Sequence, residues 1–297
     1  MPQTLTETIA ALTRSADALA AIGAALDARA NDAALDPAIR PHIDGVLSAL
    51  SVSAALESLP KAEILPMLGQ IRTFSLANAK LLFAATRGAG WNHVEPELLQ
   101  AAGDASAGFP DRLKAGIAPH LDGLAERLAA PGAAFLDVGI GVAALSIAMA
   151  RIWPNLRIVG IDPWSPSIAL AREAVAVAGL ADRIELRAQA GEEIADRNAF
   201  DLAWLPSLFV PRQAVLDALA RVLAAMRPGA WLLVPILRPT EDPLAASLMR
   251  LRVAMFGGWA WSAGELEALL RDKGYAQVRT MASSPQAITA LVVGRKE

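Results

Sequence analysis

One stretch constrains the fold of this 297-residue chain more than any other: AFLDVGIGVAALSIAMAR, residues 134–151. A short apolar run ends in an acid, Asp137. Gly139 and Gly141 follow, and then an alanine-rich segment with helical spacing. The pattern predicts strand, glycine turn and helix, an arrangement that brings backbone close to a nucleotide-like ligand. About twenty residues on, a second apolar run, Arg157–Ile161, ends at Asp162, where an acid suits a ribose diol.

From Ala133 onward strands and helices alternate, which predicts a parallel sheet. Strands are expected at Ala134–Val138, Arg157–Ile161, Arg183–Ala188, Phe200–Leu205 and Trp231–Ile236. Ser165-Pro166 opens a helix that ends at Gly179, and Pro211 opens one that ends before Pro228-Gly229. The alternation then breaks. Helices are expected at about Leu244–Phe256 and from Ser262 to Lys273-Gly274, followed by strands Ala276–Thr280 and Ile288–Gly294. The connection between these two is too short for a crossover, so they pair antiparallel.

Residues 1–130 read as a helical N-terminal domain and 131–297 as the sheet domain. Leu5, Ile9, Leu12, Leu19, Ile22 and Leu26 recur at helical steps, with Thr4 and Glu7 as a capping box. Asp36-Pro37 reads as the start of the next helix, whose apolar positions are Ile39, Ile43, Val46, Leu47 and Leu50. Pro60 and Pro66 punctuate before a helix at Leu68–Ala85. Arg87–Pro110, rich in glycine and polar residues, reads as loop, and Asp111–Leu128 as one more helix.

Composition narrows the function classes. The chain has no cysteine, so disulfides, thiolate metal sites and a cysteine nucleophile are excluded. No metal site is expected, and a cytoplasmic setting fits. The net charge is −3 with no Lys/Arg block, which argues against a nucleic-acid partner. Charge-free runs reach roughly 15 residues against the ~18 a membrane span needs, so no membrane role is expected. The opening MPQTLTETIAAL carries acid and no basic region, which reads against a secretory leader.

The glycine turn alone leaves two ligands open. Gly139-Ile140-Gly141-Val142-Ala143-Ala144 also satisfies the dinucleotide fingerprint, and Asp162 would serve the ribose of a nicotinamide cofactor equally well. Asp137 separates the two. An acid two residues before the first glycine repels pyrophosphate and attracts a cation.

With LDVGIG at 136–141, GIDPW at 160–164, AGLADRIELRAQAGEEI at 178–194, FDLAWLP at 200–206 and MRPGAWLLVP at 226–235, the second half resembles the class I S-adenosylmethionine-dependent methyltransferases. ELLQAAGDASAGF at 97–109 resembles the helical N-terminal region of bacterial small-molecule methyltransferases. The resemblance implies a Rossmann-like, seven-stranded, mostly parallel sheet with one antiparallel strand, preceded by an all-α domain. It implies S-adenosylmethionine as cofactor and O-, N- or C-methylation of a small organic metabolite. A nicotinamide-dependent oxidoreductase and a non-catalytic S-adenosylmethionine-binding module are the alternatives.

The resemblance also assigns roles. Gly139 and Gly141 would pass under the methionine part of the cofactor and Asp137 would hold its ammonium. Asp162 would take the ribose hydroxyls, with Pro163 and Trp164 beside them. Gln189, Ala190 and Gly191 would lie at the adenine edge, and Leu205 and Pro206 near the transferred methyl. Ala143 stands where the family often has a third glycine, and no acid stands at Ala190.

The sheet half contains no histidine. A histidine base must therefore come from the helical half, and His93, beside Trp91, is the catalytic candidate; His42 and His120 fall inside expected helices. Trp91, Trp204, Phe209 and Arg250 are candidates for the acceptor site, with Arg252 beside the last of these and Trp259 and Trp261 as a possible lid. The N-terminal helices fit a homodimer interface or a cover over the acceptor.

Overall fold

The computed structural model describes residues 4–83, 88, 90–281 and 287–297. Seven strands form one sheet in the order β3-β2-β1-β4-β5-β7-β6. They are β1 (Ala134–Val138), β2 (Arg157–Ile161), β3 (Ile184–Arg187), β4 (Phe200–Trp204), β5 (Met226–Leu237), β6 (Ala276–Met281) and β7 (Thr289–Arg295). β1 pairs parallel with β2 and β4, while β7 runs antiparallel to both β5 and β6. The Rossmann-like class expected from the sequence is the one observed.

Alternation along each strand sends successive side chains to opposite faces. Phe135, Ile158, Leu202, Trp231 and Leu233 fill one layer, with Leu145 and Met149 of α8 (Ala144–Ile152) and Ala171 of α9 (Ser165–Val177). Leu136, Val138, Ala203, Leu232 and Val234 fill the other, with α10 (Arg212–Ala225) and α12 (Ala263–Asp272). α11 (Pro243–Met255) lies between β5 and α12 in sequence, with Asp242 capping its first turn. β5 is longer than the sequence suggests. It starts at Met226 and runs through Pro228-Gly229 beside a register shift opposite Phe200/Leu202, where a proline is tolerated.

The N-terminal half consists of α1 (Leu5–Ala30), α2 (Arg40–Ala49), α3 (Ser53–Ser58), α4 (Lys61–Phe83), α5 (Pro96–Asp104), α6 (Phe109–Arg112) and α7 (Leu124–Ala129). The Thr4–Glu7 capping box forms as expected. Four expectations are corrected. α4 begins at Lys61 and runs through Pro66, which lies inside the helix and leaves the carbonyl four residues back without its N–H donor; the end expected at Ala85 lies outside the described residues. α2 starts at Arg40, because Asp36 caps the turn ahead of it by accepting from Ala38.

The supposed loop 87–110 contains α5, with Pro96 at its first turn and Leu98, Leu99 and Ala101 buried. The expected single helix 111–128 is broken. A π turn (113–117) and a 3-10 turn (118–120) follow α6, and Gly123 takes φ 72° before α7. Pro119 is in the middle of this break and cannot continue a helix.

α5, α6 and α7 all pack against the sheet half. Gly103 of α5 lies so close to Val142, next to the glycine turn, that a Cβ would stand 2.3 Å from the valine Cγ2.

Candidate functional site

The site lies at the carboxyl ends of β1, β2 and β4, where the strand order reverses between β1 and β4 and a crevice opens. The turn after β1 is tied to its neighbour: Gly139 and Ile140 both donate backbone N–H to Ile161 O, at 2.7 and 3.0 Å. Gly139 and Gly141 take φ 74° and 58°, left-handed values that glycine adopts without strain. Ala143 also takes φ 67°, at the position where a third glycine was expected. The turn packs down onto β2, where Gly160 leaves room for the Ile140 side chain; a Cβ there would stand 1.9 Å from Ile140 Cδ1.

Both expected acids are buried at this turn. Asp137 accepts the Ser146 hydroxyl of α8 at 2.6 Å. Burial pushes its carboxyl up to about 7, the Ser146 bond opposes this, and the charge of Asp162 adds to it. Asp162 accepts the N–H of Gly141 at 3.0 Å and of Trp164 at 2.8 Å. Burial raises its pKa too, against the pull of those two bonds. Two desolvated carboxylates around a glycine turn form a berth for positive charge and hydroxyl donors. They oppose a diphosphate.

Beyond β3, Gln189 and Ala190 lie at the same edge. Gln189 N donates to Asp162 O at 3.2 Å, which ties the β3 end to the β2 end. Its side-chain amide donates to Glu193 O, and the Glu193 carboxylate accepts from Ala190 N at 2.9 Å. Gly191 begins a 3-10 turn packed against Ala218. No acid stands at position 190, and Glu193 caps the turn by accepting from the Ala190 backbone. Across the crevice, Leu205 is fully buried, and Pro206 packs over Gly139, where a Cβ would meet the proline Cγ at 3.3 Å. Pro163 and Trp164 follow Asp162, and the Trp164 indole N–H donates to His93 O at 2.6 Å.

That bond brings the helical half to the site. His93 is buried, with its ring edge-on to Trp91 (5.1 Å) and Phe256 (6.0 Å). Phe209, from the turn after β4, closes the cluster on Trp91 and Phe256 at 5.3 and 5.4 Å. Lys80 of α4 reaches His93 Nδ1 at 3.1 Å and pairs with Glu95, which it holds down at about 2. Three sequence candidates, Trp91, His93 and Phe209, therefore meet. Phe256, Lys80 and Glu95 join them, and no sequence spacing announced it.

Other candidates fall elsewhere. Trp204 stacks on Phe109 at 4.4 Å, on the face of the sheet opposite Leu205, so it serves packing between β4 and α6. Arg250 is exposed and bonds Ser247 on its own helix. Arg252, two residues on, instead lies over the Phe74 ring of α4 at 3.9 Å. Trp261 is core and Trp259 lies exposed, with Arg212 over both rings. His42, on α2, and His120, in the 3-10 turn before α7, are both exposed.

Comparison with known proteins agrees with this geometry. Residues 135–229 match the family described as a methyltransferase domain. A 63-residue stretch is 40% identical to ribosomal RNA small subunit methyltransferase H of Bifidobacterium adolescentis, covering 21% of this chain. The chain spans 18% of the length of that relative.

Solved structures match over nearly the whole chain. PigF with SAH superimposes with a TM-score of 0.64 at 21% identity, covering 99% of this chain and 100% of that one. Human N-acetylserotonin methyltransferase in complex with SAM gives 0.59 at 15%, covering 100% and 99%. The mitomycin 7-O-methyltransferase MmcR gives 0.56 at 20%, covering 98% of each chain. The chain shares the fold of these S-adenosylmethionine-dependent methyltransferases, and its residues 135–229 match a methyltransferase domain.

Proposed function

We propose that this protein transfers a methyl group from S-adenosylmethionine to a small organic acceptor. The observation that carries the reading is the pair of buried acids, Asp137 and Asp162, on either side of the Gly139–Gly141 turn. They fit the cofactor: Asp137 faces charge best met by an ammonium, and Asp162 is placed for ribose hydroxyls. Gln189, Ala190 and Gly191 border the adenine, and Leu205 and Pro206 border the methyl group. When bound, the cofactor supplies a methyl carbon already activated on a sulfonium, so the chain need only orient and desolvate. The segment 90–95 does this from the helical half, by laying Trp91 and His93 against Phe209 and Phe256.

The named relatives include enzymes for a mitomycin and for N-acetylserotonin, which supports an aromatic or polyketide-like acceptor in an aromatic-lined cleft. A homodimer is part of the proposal. Leu5, Ile9, Leu12 and Leu19 lie exposed along one face of α1, an unpaired apolar stripe. α1 is also long and apolar enough to cross a membrane. Arg14 and Asp17 near its middle disfavour that use, and a cytoplasmic location fits better. The low net charge and absence of a basic block support a small-molecule acceptor over nucleic acid.

The direct test is calorimetry with S-adenosylhomocysteine. The wild-type chain binds it, and Asp162→Ala weakens binding at least tenfold. Binding of NAD(H) in place of S-adenosylhomocysteine would overturn the reading in favour of an oxidoreductase.

A further inference from the structure

We infer that the acceptor is bound as an oxyanion already ionised in solution, with His93 serving as a neutral positioning group and Arg252 as the counter-charge. The inference deepens the methyl-transfer reading and rests on it. Lysine has donors only, so the 3.1 Å contact with Lys80 Nζ makes His93 Nδ1 an acceptor and places the imidazole proton on Nε2. The lone pair that a base needs is therefore spent on Lys80. Protonating Nδ1 would set an imidazolium against an ammonium across that same distance. Glu95 pairs with Lys80, and its own carboxylate is held well below the ordinary range by that pairing.

Among the described residues, the groups near His93 come from four elements. α4 supplies Lys80, and the segment 90–95 supplies Trp91 and Glu95. α11 supplies Phe256, and the turn after β2 supplies Trp164, with Asp162 behind it.

Arg252 lies one turn before Phe256 on α11, on the same face. It is half-buried, and burial disfavours its charge. Its guanidinium stacks on Phe74, and no carboxylate or carbonyl pairs with it among the described residues. A desolvated guanidinium without an anion, one turn from the Phe256 that packs on His93, together with a histidine whose Nδ1 lone pair is taken, suits an acceptor that arrives negative. Such an oxygen forms the new bond to carbon with its own lone pair. The carbon–sulfur pair leaves with the sulfur, the two opposite charges cancel, and no proton is removed. Carboxylates and acidic phenols or enols meet this requirement.

Two measurements test the inference. The chain has three histidines, so imidazole nitrogen NMR with His93→Gln for assignment reads His93 alone. It should stay neutral and protonated on Nε2 from pH 5.5 to 8, and Lys80→Met should let it titrate near ~6.5. A wild-type His93 that titrates near ~6.5, or that carries its proton on Nδ1, overturns the inference. In the second measurement, 4-nitrophenol and its uncharged methyl ether, 4-nitroanisole, are titrated at pH 8 into protein saturated with S-adenosylhomocysteine. The phenolate should bind at least tenfold tighter than the ether. Arg252→Gln should remove that preference and Arg252→Lys should keep part of it. Equal binding of the two probes, or a preference untouched by Arg252→Gln, overturns the anion site. A chain that fails to bind S-adenosylhomocysteine while His93 stays neutral sinks the methyl-transfer reading alone.

Discussion

Asp137 gives cofactor binding a pH dependence that can be worked out beforehand. Its carboxyl ionises at about 7 in the unliganded protein because it is buried beside a second acid. A cationic ammonium pairs with the ionised form. Binding should therefore strengthen as pH rises through 7 and level off above it. With one proton lost before binding, affinity scales with the ionised fraction. It should rise about tenfold between pH 6 and pH 8, which is about 1.4 kcal/mol. At pH 7 binding should release about half a proton.

Stability of the empty protein has the opposite sign. The folded state holds a proton that the unfolded chain loses near 3.8, so this group erodes stability as pH rises from there to about 7. Calorimetry of S-adenosylhomocysteine in buffers of different ionisation enthalpy measures both affinity and proton release. Asp137→Asn should flatten the curve at its weak, acidic level. Ser146→Ala, which removes the bond that lowers the pKa, should move the rise to higher pH. A flat profile from pH 6 to 8 with no proton exchanged would refute the reasoning.

Three further outcomes follow from packing. Gly160→Ala places a methyl 1.9 Å from Ile140 Cδ1 and should cost about 2–3 kcal/mol in denaturant unfolding, with weaker cofactor binding because the glycine turn is displaced. Ala143→Gly relieves a left-handed alanine worth about 1–2 kcal/mol but loses a buried methyl and loosens the unfolded chain, so chemical denaturation should show a net change within about 0.5 kcal/mol. A loss beyond about 1.5 kcal/mol would show that the methyl itself is needed. Ile9→Glu with Leu12→Glu should convert a sedimenting dimer to monomer without unfolding it; unchanged sedimentation of a dimer would move the interface elsewhere.

The sheet was legible in the sequence because its strands are short apolar runs separated by helices with clear starts and stops. β1 and β2 end at the residues the pattern indicates, Val138 and Ile161. α5 was hidden by Gly103, which reads as a loop residue; it is glycine because Val142 presses against that helix turn. Its signal was nonetheless present, in Pro96 at the first turn with Glu97 beside it.

The Lys80–His93–Glu95 group could not be read at all. It depends on α4 passing the segment after it at one angle, which no local pattern encodes. Arg250 and Arg252 differ by about 200° around α11, so only the helix phase decided which of them turns inward onto Phe74 of α4.

Where the helical half meets α11, Gly90 and Gly257 touch so closely that a methyl on the latter would stand 2.6 Å from the former's Cα, and Gly258 sits as tightly on the Leu208 carbonyl. No larger side chain fits at Gly257 or Gly258. Efforts to redesign acceptor choice therefore have to leave this seam alone and vary the rings on either side, Trp91 and Phe209. A guest too bulky for those rings can enter only by prising two backbones apart.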